Sequence, residues 1–251
     1  MSKNTHQKNY LIIGGIGGIG RAMVEHILSN NDNVQVFATY YRSVPDIEAD
    51  NLHWLQMDVS NEDSIRQAID GIKSKSEHID WVINCVGLLH TDSNQPEKAL
   101  RQVETDFFLQ NMQVNALAGL LIAKHIKPLL AKSTRSHDTP AIYATISARV
   151  GSISDNQIGG WYSYRMSKAA LNMGMKNLSI EWARALKEVC VVVLQPGTVN
   201  TQLSAPFQSN VADGHLFSPA YSAESLLEVL AGMRASDSGS FVDWAGESIP
   251  W

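Results

Sequence analysis

The chain has 251 residues, 44% hydrophobic and 18% charged, enough apolar material for one large core and too much for a disordered segment. Its net charge of −5 argues against a general nucleic-acid binder, which needs a basic surface to neutralise phosphates. Two cysteines, Cys85 and Cys190, cannot form a disulfide framework and fit a reducing, cytoplasmic setting.

The first apolar run, residues 10–13, is short and ends in glycines, so it reads as a strand and not as a signal peptide. A helix over 19–29 follows at once, then strands at 34–39 and 52–57, a helix over 62–73 and a strand at 81–85. A long helix is predicted over 105–130, with Pro128 expected to end or kink it about a turn early. Asn115, Lys124, His125 and Lys127 interrupt its apolar run, so no membrane span is expected. Beyond it come a strand at 141–146, a helix over 162–187 and a strand at 189–194. The stretch 202–219 lacks periodicity and is long for a connection, so it is expected to be a substrate lid. A helix over 223–233 and a strand at 240–244 complete the chain. Short continuous apolar strands alternating with helices predict one doubly wound α/β domain spanning 1–251, with a parallel sheet of about seven strands. Such a sheet binds ligands beyond the carboxyl ends of its strands.

Chemistry concentrates in two motifs. Strand one runs into Gly14-Gly15-Ile16-Gly17-Gly18-Ile19-Gly20, where backbone amides and a helix N-terminus can approach a pyrophosphate. Two registers overlap there: Gly15-x-Gly17-x-x-Gly20, and Gly14-x-x-x-Gly18-x-Gly20. The second motif is Tyr164-Arg165-Met166-Ser167-Lys168, whose first and last residues share a helical face. A cation there favours tyrosinate and tunes a tyrosine to exchange a proton with a carbonyl or alcohol. Phe108, Met112, Asn115, Gly119 and Ile122 form one helical stripe. A polar Asn115 on it must be hydrogen-bonded. The eight histidines, from His6 to His215, show no metal-ligand spacing, so no metal site is expected.

In this order and in a chain of this length, the motifs resemble the short-chain dehydrogenase/reductase family, whose domain is a Rossmann fold. The similarity is closest to the branch of C-factor-like proteins and small carbonyl reductases, through the stretch 147–172 and the ending Asp243-Trp244-Ala245-Gly246-Glu247-Ser248-Ile249-Pro250-Trp251. The resemblance implies cofactor contacts from Gly14, Gly18, Ile19, Gly20, Asp58, Val59, Asn84, Gly87, Pro196, Gly197, Val199 and Thr201. It implies Tyr164 as acid/base, Lys168 on the nicotinamide ribose, and Asn115 as a structural and proton-relay residue. It also implies a homodimer or homotetramer and a small carbonyl or alcohol substrate.

Three positions depart from the family. Ile13 replaces a common threonine before Gly14, removing a local turn hydrogen bond, and Cys85 replaces an asparagine as a packing change. The usual catalytic serine falls on Ala148; Ser147, then Ser152, are the candidates to replace it, or the serine function is weak and Tyr164 and Lys168 carry the chemistry. After strand two no acid occurs before Asp46, whereas Arg42 lies just past the strand. This favours NADP(H) over NAD(H), with Thr39 and Tyr40 as possible helpers of Arg42. The alternative function is a nucleotide-binding signalling or sensor protein with little turnover.

Overall fold

A computed structural model of the chain describes residues 7–31, 33–133 and 136–251; His6 lies outside them. In chain order the elements are β1 (Lys8–Ile13), α1 (Gly18–Asn30), β2 (Val34–Tyr40), β3 (Leu52–Gln56), α2 (Glu62–Lys73), β4 (Trp81–Asn84), α3 (Thr105–Asn111), α4 (Ala118–Ala131), β5 (Ala141–Ile146), α5 (Tyr162–Ala185), β6 (Val189–Gln195), β7 (Thr198–Val199), β8 (Leu216–Phe217), α6 (Pro219–Gly232) and β9 (Ser240–Asp243).

Seven strands form one parallel sheet in the order β3-β2-β1-β4-β5-β6-β9. The chain winds outward from β1 to β3, then returns to place β4 on the other side of β1. That reversal is the topological switch point, where the carboxyl ends of β1 and β4 open a crevice.

Side-chain alternation divides the core into two layers. Leu11, Ile13, Val82, Tyr143 and Val191 face the layer covered by α2, α4 and α5. Tyr10, Ile12, Ile83, Ile142 and Val192 face the layer covered by α1 and α6. β5 is buried along its whole length, as expected for a central parallel strand. Each large side chain so buried contributes roughly 1.5–3 kcal/mol.

Local chemistry sets several boundaries. Ser218 accepts from Tyr221 N and Pro219 opens α6, so this helix begins four residues before the predicted 223. The stretch expected to be an aperiodic lid is partly regular: a tight helical turn at Ala205–Asn210 and β8, which pairs with β7.

The long predicted helix is interrupted. Between α3 and α4, Met112–Leu117 forms a π turn, and Ala118 N donates to Gln113 O five residues back. The i→i+5 pattern adds a residue to the turn. The buried stripe therefore runs through Phe107, Asn111, Asn115 and Gly119, not through the expected Phe108 and Met112, which are half-buried. Pro128 does not end α4, which continues to Ala131 with Leu129 and Leu130 buried against the core. The combined stretch Thr105–Ala131 is long and apolar enough to cross a membrane. Its apolar side, with Ile122, Ala123 and Ile126, is taken up by the core instead.

Tyr143 ties this helix to the sheet by donating to Gly119 O at 2.5 Å, fully buried. Gly119 O keeps its intrahelical partner without it, so Tyr143→Phe removes one buried bond and is expected to cost about 0.5–1.5 kcal/mol. Thermal unfolding should shift down by roughly 1–6 °C.

Candidate active site

Gly14 and Gly18 adopt φ of +79° and +52°, conformations that favour glycine. A Cβ on Gly20 would lie 2.2 Å from Gly14 O, so the helix can start against the strand only with glycine there. These demands select the Gly14-x-x-x-Gly18-x-Gly20 register. Above Gly17 there is open space, and α1 presents its N-terminus. This cradle suits a pyrophosphate.

The hydrogen bond expected to be missing at Ile13 is supplied from the neighbouring strand: Gly14 N donates to Thr39 Oγ1 at 3.0 Å. Thr39 is therefore buried and engaged with the turn, not available to a cofactor phosphate. Arg42 is exposed and lies over the Tyr41 ring at 4.6 Å, with its guanidinium donating to the Tyr41 hydroxyl at 3.1 Å. Asp46 pairs with Arg21 of α1 at 2.6 Å. The first acid after β2 is thus already partnered.

At the opposite side of the crevice, α5 carries Tyr164 and Lys168, 6% and 2% exposed. Lys168 Nζ donates to Ile146 O at 3.0 Å and lies 5.7 Å from the Tyr164 ring centroid. Burial lowers the lysine pKa from 10.5 to about 8. It pushes the Tyr164 hydroxyl the other way, well above its ordinary range. The expected lowering of Tyr164 by the lysine is outweighed here by desolvation.

Asn115 Oδ1 accepts from Leu88 N at 2.7 Å, and its Nδ2 reaches Leu88 O, Asn111 Oδ1 and Ser167 Oγ within 3.1 Å. Ser167 Oγ in turn donates to Tyr164 O. The Asn115 side chain is fully occupied in joining the loop after β4 to α5. Gly87 runs alongside Lys168 and Asn115, and Asn84 Oδ1 closes the same loop by accepting from Val86 N.

Ser147 is turned towards α5 and held by it. It is 2% exposed and its Oγ donates to Asn172 Oδ1 at 2.7 Å. The strand alternation carries past the end of β5, so Ser147 shares the α5-facing side with Tyr143, and Ala148 takes the other. Ser152 is also buried, its Oγ accepting from Asp155 N at 3.2 Å.

The remaining predicted positions lie around the crevice. Asp58 Oδ1 accepts from both Ser60 N and Oγ, and Val59 packs into the core. Pro196 O accepts from Ser222 Oγ, Val199 is buried in β7, and Thr201 packs beside Gly18. Cys85 sits 3.7 Å from the Met23 sulfur, its thiol pushed up to about 12 by burial, in keeping with packing and not reactivity.

Several residues at the site escaped the sequence reading. Asn111 and Ser167 complete the Asn115 network; the i−4 spacing to Asn115 was a usable signal. Phe207 and His90 form an aromatic chain with Trp161, the neighbour of the tyrosine ring. The Trp161 ring lies 6.2 Å from that of Tyr164 and 5.0 Å from that of Phe207, which is 5.9 Å from His90. Nothing in the local pattern at 90 or 207 announces this convergence.

The short chain dehydrogenase family pattern matches residues 8–212, and the chain belongs to this family of oxidoreductases. An uncharacterized oxidoreductase of Schizosaccharomyces pombe is 26% identical, over 98% of this chain and 99% of its own. The C-signal protein of Myxococcus xanthus is 32% identical, over 61% of this chain and 84% of its own. Among solved structures, NADPH-bound carbonyl reductase from chicken fatty liver superposes with a TM-score of 0.81 at 25% identity, covering 97% of this chain and 94% of that one.

The buried ammonium has a consequence for stability. Lys168 binds its proton less tightly folded than unfolded, so stability should rise as pH increases from about 8 towards 10.5. Lys168→Met should lose that rise. Denaturant unfolding of both proteins at pH 7, 8, 9 and 10 checks it; equal pH slopes would contradict it.

Proposed function

We propose that the protein is an NADP(H)-dependent carbonyl reductase or alcohol dehydrogenase, with Tyr164 as its acid/base. The observation that carries this reading is the buried Tyr164–Lys168 pair, with Lys168 beside Gly87 of the loop after β4, whose Val86 packs against Gly14 of the cradle. Gly14, Gly18, Ile19 and Gly20 would hold the pyrophosphate, Asp58 and Val59 the adenine, and Asn84, Gly87, Pro196, Gly197, Val199 and Thr201 the nicotinamide half. When bound, the nicotinamide supplies the hydride.

Burial raises the Tyr164 hydroxyl above its ordinary range, so in the reductive direction it serves as the acid. Its proton goes to the carbonyl oxygen as that oxygen gains negative charge. Lys168, anchored by Ile146 O, supplies a positive charge beside the tyrosinate left behind. Asn115 keeps the loop after β4 and the lysine helix in register. With Ser147 bonded to Asn172, the chemistry rests on Tyr164 and Lys168 without help from that serine. Trp161, Phe207 and His90 would exclude water and contact the rest of the substrate.

Preference for NADP(H) is supported by exposed Arg42, by the engagement of Asp46 with Arg21, and by likeness to an NADPH-bound carbonyl reductase. Leu117 and Leu120, with Met166, Met173 and Ile180 of α5, are exposed and support a homo-oligomer built on these helices. The two free cysteines support a cytoplasmic setting.

Tyr164→Phe should lower carbonyl-dependent NADPH oxidation by about 10²–10⁴-fold with NADPH affinity essentially unchanged. Turnover on a carbonyl panel and cofactor fluorescence titration measure the two, and wild-type turnover in the variant would sink the assignment. Arg42→Asp should shift preference towards NADH, read as the ratio of kcat/KM for the two cofactors; an unchanged ratio contradicts the role of Arg42.

A further inference from the structure

The helix that carries Tyr164 begins without a cap of its own. Its N-cap residue is Trp161, which offers no side-chain acceptor and is held at a left-handed φ of +50°. The first amides of a helix have no intrahelical partner and need one when buried. Here the partner comes from 66 residues away in sequence. Glu97 Oε2 accepts from Ser163 N at 3.1 Å, and Glu97 Oε1 accepts from Ser163 Oγ. The Glu97 backbone carbonyl also accepts from Trp161 N at 2.5 Å.

Glu97 is 2% exposed, and Ser163 is fully buried. Among the described residues no Lys, Arg or His forms an ion pair with this carboxylate. A buried carboxylate without a cation is costly unless hydrogen bonds and dipoles hold it. The helix N-terminus and the serine hydroxyl provide both. Tyr164 is the residue immediately after Ser163.

We propose that Glu97 is a positioning residue for Tyr164: it caps the catalytic helix from a distant loop and fixes both the tyrosine and the Trp161 ring above it. This rests on the role of Tyr164 argued above. Fraying of the first turn of α5 would move the acid while leaving the glycine cradle untouched.

The test uses the full chain with Glu97→Ala, Glu97→Gln and Ser163→Ala. The expected result for Glu97→Ala is exchange of the 162–165 amides about tenfold faster, with those of 174–182 unchanged. Its kcat should fall about tenfold or more, while NADPH affinity stays as in the wild type. Glu97→Gln, which keeps one acceptor, and Ser163→Ala, which removes one donor, should fall between. Should Glu97→Ala fail to fold, these two variants decide on the same readouts. Unchanged exchange overturns the cap. Faster exchange with unchanged kcat overturns the positioning role and leaves only a stabilising one. A wild type that reduces no carbonyl overturns the functional reading alone, because exchange still decides the cap.

Discussion

The site depends on the side-chain amide of Asn115. It holds both backbone groups of Leu88, and through Ser167 it reaches the carbonyl of Tyr164. In a buried setting these polar groups have no water to turn to, so each needs a protein partner. The result is a fixed spacing between the loop beyond β4, the interrupted helix and α5. Lys168 and Gly87 inherit that spacing, as each is the chain neighbour of a residue Asn115 holds. A network of this kind specifies one arrangement, because any partial version leaves a buried donor or acceptor unmatched.

Electrostatics at the centre follow from burial more than from pairing. Lysine and tyrosine are both pushed towards their neutral forms. The lysine keeps its charge at neutral pH only narrowly, and its carbonyl partner at Ile146 helps to hold it in place. The two sides of the crevice are built differently. The cradle is glycine and backbone, shaped by close approach; the side with Tyr164 and Lys168 is side chain, shaped by hydrogen bonds.

Much of this was legible in the sequence. Continuous apolar strands such as 141–146 and 189–194 announced a parallel sheet, and all seven predicted strands occur in it. The glycine cradle and the Tyr164–Lys168 pair were visible because each needs particular residues at close spacing. What was not legible mostly joins residues far apart in sequence. Thr39 replaces the bond expected to be missing at Ile13, a substitution between adjacent strands that no local pattern encodes. The bond from Ser147 to Asn172 of α5 likewise spans two elements, and the strand alternation that aims it continues one residue past β5. The stripe on the long helix was misplaced because a 3.6-residue repeat cannot foresee a π turn.

That π turn fixes something other than chemistry. Because it takes up one residue more than an α-turn, α3 and α4 keep a common buried face across it. Phe107 and Asn111 before it and Ile122 and Ile126 after it are buried together. Shortening the stretch to an ordinary α-turn would keep those flanks in phase and displace the residues inside it, Asn115 among them. The ends of this helix answer to the core, and its middle answers to one amide side chain.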